Sequence, residues 1–262
     1  MTFRKWLLIA LFTLLTACSA KRPDNALYVG TIAGPETDIM QTAQKIAQEK
    51  YGLHIKIIEF EDYVTPNVAL VEKSIDANMF QHQPYLDTMV NERHFKIISL
   101  GKTFLYPMGL YSKKFTQLKD IPHHATVGIP IDPSNEARAL LLLENAGLIK
   151  LNTQHIAQIS LANIIENPKH LHIQPMEAAQ LPRAFNDLAL AAINTNYAIP
   201  AHLTLENALW VEDKHSPYAN VVAVRQGESH DKRFEQLMKA LHDPAVIQKA
   251  KERFSNGAVP AW

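Results

Sequence analysis

Apolar residues recur along the first half of this chain at two alternating spacings. Short apolar runs bounded by turn residues predict strands, and apolar residues three and four apart predict amphipathic helices. In chain order, the predicted elements are strand Leu27–Gly30, helix Thr37–Tyr51, strand His54–Phe60, helix Asn67–Ile75, strand Ala77–Phe80, helix Pro84–Arg93 and strand Phe95–Leu100. Repeated strand–helix units predict an α/β lobe whose mainly parallel sheet is covered by helices on both faces.

The alternation is interrupted near residues 105–112, which we interpret as an extended crossing into a second sheet. The elements predicted there are strand Thr126–Pro130, an apolar helix Ala139–Ala146 capped by Asp132 or Ser134, strand Leu171–Gln174, helix Glu177–Phe185 and strand Leu188–Ile193. Residues 218–225 are predicted to cross back, and two amphipathic C-terminal helices are predicted to pack on the first sheet. The predicted domains are therefore lobe 1 (26–108 plus 223–262) and lobe 2 (109–222), with a cleft between them.

The N-terminus has the pattern of an export signal. Arg4 and Lys5 precede an apolar run from Trp6 to Leu15, which is too short to span a bilayer as a helix. The following residues, 15–18, resemble a bacterial lipobox that ends in Cys18, the only cysteine of the chain. We therefore predict a signal peptide at residues 1–17, lipid attachment to the membrane through Cys18, and a polar tether over residues 18–25. The alternative is an uncleaved helix with a buried cysteine.

The composition excludes several classes of function. The chain has 262 residues, of which 26 are basic and 26 are acidic. It therefore lacks the excess of positive charge that is typical of nucleic-acid-binding proteins. Only nine glycines are present, and no phosphate-loop, dinucleotide or nucleophile-elbow motif occurs, so we predict no cofactor and no enzyme activity. A metal site remains an alternative, because His123, His124, His170 and His172 form two close pairs, although neither pair has a nearby cysteine or glutamate in a zinc pattern.

Four ring side chains, those of Tyr63, Phe80, His82 and Tyr85, lie within about 25 residues of one another. Phe80 and His82 are two apart and share one face of an extended segment, and Pro84 allows a helix to begin there and places Tyr85 in its first turn. Turns from strand to helix line ligand clefts in open α/β sheets. The rings therefore predict an aromatic wall for a small, partly apolar ligand. The alternative is three core aromatics and one surface histidine.

Three polar residues of the second half are placed to face the same cleft. Arg138 lies in the first turn after the Thr126–Pro130 strand, where its guanidinium fork can bind both oxygens of a carboxylate. Asn194 ends one apolar strand and Asn220 begins another extended segment. The alternatives are that Arg138 is a solvated surface charge and that the two asparagines only form turns. Together with the ring wall, this set predicts a free α-amino acid with an uncharged side chain. No acid is obviously placed for its ammonium group, which we assign to asparagine oxygens and backbone carbonyls.

Several long motifs, in order, resemble the MetQ/NlpA family of methionine-binding lipoproteins. They are residues 60–70 (FEDYVTPNVAL), 80–86 (FQHQPYL), 132–138 (DPSNEAR), 177–183, 193–198, 216–220 and 256–262. The resemblance covers nearly all of the chain after the signal and implies a type II periplasmic-binding-protein fold that closes on L-methionine. It also implies delivery to an ABC importer, which consists of a permease and an ATPase.

By the same resemblance, the four rings enclose the thioether and Arg138 binds the carboxylate. Asn194 and Asn220 bind the amino and carboxylate groups of the ligand, and Asn196 is a further candidate contact. The chain departs from the family pattern at Glu36–Thr37, where we expect an altered rim and unchanged main contacts. The alternative ligands are a methionine-containing dipeptide, D-methionine and another apolar amino acid.

Overall fold

A computed structural model describes residues 26–154 and 159–262 of the chain. The predicted signal peptide (1–17), the lipidation site Cys18 and the tether (18–25) lie outside these residues. None of the helices in the described ranges has the length and apolar character that a bilayer crossing requires.

The first lobe is built on a six-stranded sheet with strand order β13–β4–β12–β3–β1–β2. The elements that form or cover it are β1 (Ala26–Ile32), α1 (Pro35–Tyr51), β2 (His54–Phe60), α2 (Thr65–Val71), β3 (Ala77–His82), α3 (Gln83–Arg93), β4 (Ile97–Leu105), β12 (Ala219–Arg225), α7 (Lys232–Leu241), α8 (Pro244–Arg253) and β13 (Val259–Pro260). One face packs against α1, α7 and α8, with Ile39, Leu237 and Phe254 buried. The other face packs against α2 and α3 through Leu70 and Leu86. The predicted covering by helices on both faces is confirmed.

The predicted parallel pairing holds for only part of this sheet. Strand β1 pairs in parallel with β2 and β3, whereas β12 is antiparallel to both β3 and β4. The reason lies in the route of the chain. The chain leaves the lobe at the end of β4 and re-enters beside it, with Ala219 opposite Leu105, so β12 must run in the opposite direction.

The second lobe contains a five-stranded sheet with strand order β11–β5–β10–β6–β9 and a separate two-stranded sheet, β7–β8. Its elements are β5 (Gly109–Tyr111), β6 (Thr126–Pro130), α4 (Pro133–Asn145), β7 (Lys150–Leu151), β8 (Ile164–Glu166), β9 (His172–Met176), α5 (Leu181–Ala184), β10 (Leu190–Ile193), α6 (Thr195–Ala198) and β11 (Trp210–Val211). Strand β6 is parallel to β9 and β10, and β5 is antiparallel to β10 and β11.

The helix predicted over residues 177–185 is two short pieces. A 3-10 turn, Ala178–Gln180, precedes α5, in whose first turn Pro182 lies. Proline lacks the backbone N–H that an interior helical position needs, so a new helix begins at Leu181 and has Pro182 in its first turn.

Two segments cross between the lobes, residues 106–108 and 212–218. Glu212 joins them, because its backbone N–H donates to the carbonyl of Met108 (2.9 Å) and its carboxylate accepts from the N–H of Met108 (3.0 Å). Strand β12 belongs to the first sheet from Ala219 onward, so the lobe boundary predicted between 222 and 223 falls inside this strand.

Candidate functional site

A cavity lies between the lobes and is lined by residues from both of them. Ligand pockets occur preferentially at such interfaces between domains, so this cavity is the candidate binding site. All eight ligand-binding residues predicted from the sequence line it, together with five others; the full set is Glu36, Tyr63, Phe80, Gln81, His82, Tyr85, Tyr106, Asn135, Arg138, Asn194, Thr195, Asn196 and Asn220.

The turn from β3 to α3 places three of the four predicted rings. Phe80 and His82 are two residues apart on β3, and both are buried. His82 is the N-cap of α3, and its Nδ1 accepts a hydrogen bond from the backbone N–H of Tyr85 (3.1 Å). Pro84 occupies the first turn, as its fixed φ favours. The local sequence therefore presents these three side chains from one corner of the sheet.

The four rings form a continuous wall of the cavity. The centroid of the Tyr63 ring lies 5.9 Å from that of Phe80 and 6.0 Å from that of Tyr85, and His82 lies 6.3 Å from Tyr85. The Tyr85 hydroxyl donates to the backbone carbonyl of Tyr63 (2.8 Å), and Tyr197, which sequence reasoning missed, packs 5.0 Å behind the Tyr63 ring. Ring edges at such spacing suit contact with an apolar chain or a sulfur atom.

His82 is neutral and has one defined tautomer. Its Nδ1 is an acceptor, so the proton is on Nε2, which lies 3.2 Å from Oδ1 of Asn135. Burial, followed by the nearby charge of Arg138, lowers the pKa of His82 to about 3. His82 therefore serves as a polar ring and a hydrogen-bond donor rather than as a positive charge.

The N-terminus of α4 fixes the orientation of the amides nearby. The cap is Asp132, whose carboxylate accepts from the backbone N–H of Asn135 (3.0 Å) and from its Nδ2. The Asn135 Oδ1 must then face the cavity side, where it accepts from His82 and from Nδ2 of Asn194 (2.8 Å). A chain of hydrogen bonds thus runs from Asp132 to both lobes.

Arg138 lines the cavity, and Glu212 pairs with one edge of its guanidinium. Nε and Nη2 donate to the two oxygens of Glu212 (2.9 and 2.6 Å), and Nη2 also donates to the carbonyl of Tyr106 (2.9 Å). Glu212 thus occupies the Nε/Nη2 edge of the fork and leaves Nη1 as the donor that remains for a ligand carboxylate. Arg138 also lies in the second turn of α4 rather than the first, because the helix begins at Pro133.

Four buried polar atoms of the lining residues have no hydrogen-bond partner among the described residues: Glu36 Oε2, Tyr106 OH, Asn194 Oδ1 and Asn196 Nδ2. Buried polar atoms are nearly always hydrogen-bonded in folded proteins. Their convergence on one cavity indicates that a polar ligand completes the site.

The protein's own hydrogen bonds decide what each asparagine can offer. Nδ2 of Asn220 donates to the carbonyl of Phe80 (3.1 Å) and to Oε1 of Glu36 (2.9 Å), which leaves Oδ1 as an acceptor. Nδ2 of Asn194 donates to Asn135, which likewise leaves Oδ1 of Asn194 as an acceptor. Oδ1 of Asn196 accepts from the Tyr63 hydroxyl (2.7 Å), which leaves Nδ2 of Asn196 as a donor. The three asparagines and Arg138 therefore offer two acceptors, Oδ1 of Asn194 and of Asn220, and two donors, Nδ2 of Asn196 and Nη1 of Arg138, a set that matches a zwitterion.

Glu36 is the main lining residue that sequence reasoning placed differently. It is 1% exposed and lies inside the cavity rather than at the rim. Gly34, with φ +114°, makes the turn from β1 that places Glu36 in the first turn of α1. Burial raises the pKa of Glu36 well above its usual range. Its position in the sequence could have indicated this, because Glu36, like Tyr85, lies in the first turn of a helix that directly follows a strand.

The histidine pairs lie away from this cavity. The rings of His124 and His170 stack with centroids 5.4 Å apart. Within the described ranges, no group of three or more histidine, cysteine or acidic residues could hold a metal ion.

Comparisons with known proteins agree with this geometry. The family model described as NlpA lipoprotein matches residues 27–262. The protein named D-methionine-binding lipoprotein MetQ from Salmonella typhi is 42% identical over 252 residues, which are 95% of this chain and 93% of that protein.

Two solved structures are also similar. A periplasmic substrate-binding protein of an ABC transporter from Coxiella burnetii is 56% identical, with a TM-score of 0.87, over 90% of this chain and 100% of that one. A nutrient-binding protein from Burkholderia cenocepacia, solved with methionine bound, is 47% identical, with a TM-score of 0.88 and the same coverage. The predicted fold, that of a two-lobed periplasmic binding protein, is confirmed.

Proposed function

Because this chain belongs to the NlpA lipoprotein family, we propose that it binds free L-methionine between its two lobes and delivers it to an ABC importer. The observation that carries the proposal is the cavity itself, in which a wall of four rings faces a set of unpaired donors and acceptors. An apolar wall beside a zwitterion-matching set suits an amino acid with an apolar side chain.

The ligand's parts divide among the residues by chemistry. The thioether packs against Tyr63, Phe80, His82 and Tyr85, where each sulfur–ring contact contributes about 0.3–1.5 kcal/mol. The carboxylate accepts from Nη1 of Arg138 and Nδ2 of Asn196. The acceptors Asn194 Oδ1 and Asn220 Oδ1 take the ammonium group. Asn194 and Asn196 belong to the second lobe and Asn220 to the first, so the ligand links the two lobes.

D-methionine is the second candidate ligand, because a close relative is named for it.

Calorimetric titration tests the ligand. The protein is first unfolded and refolded to remove any bound ligand, whose mass identifies it, and is then titrated with L-methionine, D-methionine and a methionine-containing dipeptide. We expect Asn220→Ala to weaken methionine binding by about 1–3 kcal/mol, because it removes an acceptor and frees the partners of its amide. Asn145→Ala, an exposed change at the end of α4, is the control and should leave the affinity unchanged. Absence of heat and of thermal stabilisation at millimolar methionine would refute the proposal.

The membrane attachment and the importer partner are parts of the same proposal. The signal-like segment before Cys18 supports a lipid anchor there, which would hold the protein close to a permease and its ATPase. Incorporation of labelled palmitate that Cys18→Ala abolishes is the expected result. Uptake of labelled methionine by cells that lack their own binding protein tests delivery, and a chain without effect on uptake would exclude it.

A further inference from the structure

Glu36 is a carboxyl group buried inside the ligand cavity. Its Oε1 accepts from Nδ2 of Asn220 (2.9 Å), and its Oε2 has no hydrogen-bond partner among the described residues. The residue is 1% exposed, so solvent does not satisfy this oxygen either. A buried carboxylate without a cation is strongly disfavoured, and the group protonates instead.

The titratable side chains that face Glu36 do not supply that cation. They are three phenols from three other segments, Tyr63, Tyr106 and Tyr197, and burial raises the pKa of each, so all are neutral. Arg138 also lines the cavity, but its fork is paired with Glu212, and His82 is neutral. The acid on the same helix, Asp38, forms an ion pair with Arg253 outside the cavity.

Among the described residues that line the cavity, three amide or carboxyl oxygens have no hydrogen-bond donor when Glu36 is included. They are Oε2 of Glu36, Oδ1 of Asn194 and Oδ1 of Asn220, and an ammonium group carries three N–H donors. The hydrogen bond from Asn220 Nδ2 to Glu36 Oε1 holds together the two side chains that carry two of these acceptors.

We propose that Glu36 is the anionic partner of the ligand's α-ammonium group and that it releases its proton to solvent when the ligand binds. The inference rests on the proposed function. In the step, a neutral carboxyl and a free ammonium form an ion pair, and one proton leaves to the buffer. Glu36 thereby makes the site selective for a free amine over an acylated or deaminated analogue.

The decisive experiment compares wild type and Glu36→Gln against two ligands. These are L-methionine and 4-(methylthio)butanoic acid, which has the same tail and carboxylate but no amine. Glutamine keeps the shape and loses the charge, so we expect methionine binding to weaken about 10- to 100-fold. Binding of the deaminated acid should stay the same or strengthen. Asp38→Asn, a carboxyl lost from the same turn of α1 outside the cavity, is the matched control and should bind both ligands as wild type does.

Two results would overturn the inference while leaving the proposed function intact. One is unchanged methionine affinity in Glu36→Gln, and the other is an equal loss for both ligands, which would make Glu36 only a shaping residue. Failure of wild type to bind methionine would instead refute the proposed function and the inference with it.

Proton release gives a second test, which does not depend on the deaminated ligand. Titration of wild type with methionine in phosphate and in imidazole buffer, at about pH 6.5, yields the number of protons released from the dependence of the heat on buffer ionisation. We expect a net release of protons on binding, and an affinity that rises as the pH rises from about 5 to 7. No release, or the same release in Glu36→Gln, would contradict the inference.

Discussion

The ion pair between Arg138 and Glu212 offers the sharpest test of how the cavity is held. Both side chains are nearly buried, at 4% and 10% exposure, and they meet through two hydrogen bonds of 2.9 and 2.6 Å. The carboxylate also accepts from the N–H of Met108, so it ties α4 to both crossing segments. Replacement of Glu212 by alanine leaves a buried guanidinium unpaired and an N–H of the crossing without its acceptor.

We expect Glu212→Ala to lower the free energy of unfolding by about 3–5 kcal/mol, the usual cost of breaking a buried pair by removing one partner. Lys150 and Glu166 form a pair of similar length (2.8 Å) that is 60% and 57% exposed. Glu166→Ala is therefore the matched control, and it should lower the free energy by less than about 1 kcal/mol.

Urea denaturation of ligand-free protein, followed by far-ultraviolet circular dichroism, measures both changes. Ligand must be absent because it stabilises the folded state by an amount that grows with the logarithm of its concentration above Kd. The double variant Arg138→Met/Glu212→Leu should recover most of the stability, because no charge stays buried. The reasoning fails if Glu212→Ala costs no more than Glu166→Ala.

Two further predictions concern His82 and Gly34. The pKa of His82 is about 3 when folded and about 6.5 when unfolded, so the unfolded chain takes up the proton first and stability is lost as the pH falls between these values. Between pH 7 and pH 5, ligand-free wild type should lose about 2 kcal/mol more than His82→Gln, and equal losses in urea denaturation would contradict the pKa. Gly34→Ala should cost at least about 1 kcal/mol, because φ is +114° and Pro200 Cγ lies 3.3 Å from the added carbon. Gly227→Ala, which meets no atom within 4 Å, should be near neutral in the same assay, and equal effects would show that no strain is present at Gly34.

Local sequence predicted most elements because hydrophobic spacing is a local property. Strands His54–Phe60 and Thr126–Pro130 have the predicted bounds. The helix predicted over 67–75 instead ends at Val71, and Lys73 follows with a left-handed φ of 63°, a conformation that apolar spacing does not report. The direction of β12 was also missed, because pairing depends on where the chain re-enters the sheet.

The candidate site likewise has features that local sequence predicted and features that depend on distant parts of the chain. The aromatic wall was predictable because Phe80, His82 and Tyr85 lie within six consecutive residues at one strand–helix turn. The local backbone there already decides which side chains share a face. The asparagines could be placed in the cleft, but which of their atoms stays free depends on partners elsewhere in the chain, as with Tyr63 for Asn196.

By itself, the sequence determined the alternation of strands and helices, the two lobes and the eight residues that gather between them. Only the tertiary structure decided that Arg138 turns its fork to Glu212, 74 residues away, and that Glu36 is buried against Asn220, 184 residues away. The physical reason is that spacing along a chain encodes which side of an element is apolar. Hydrogen-bond partners and buried charge depend on which surfaces meet when the two lobes pack together.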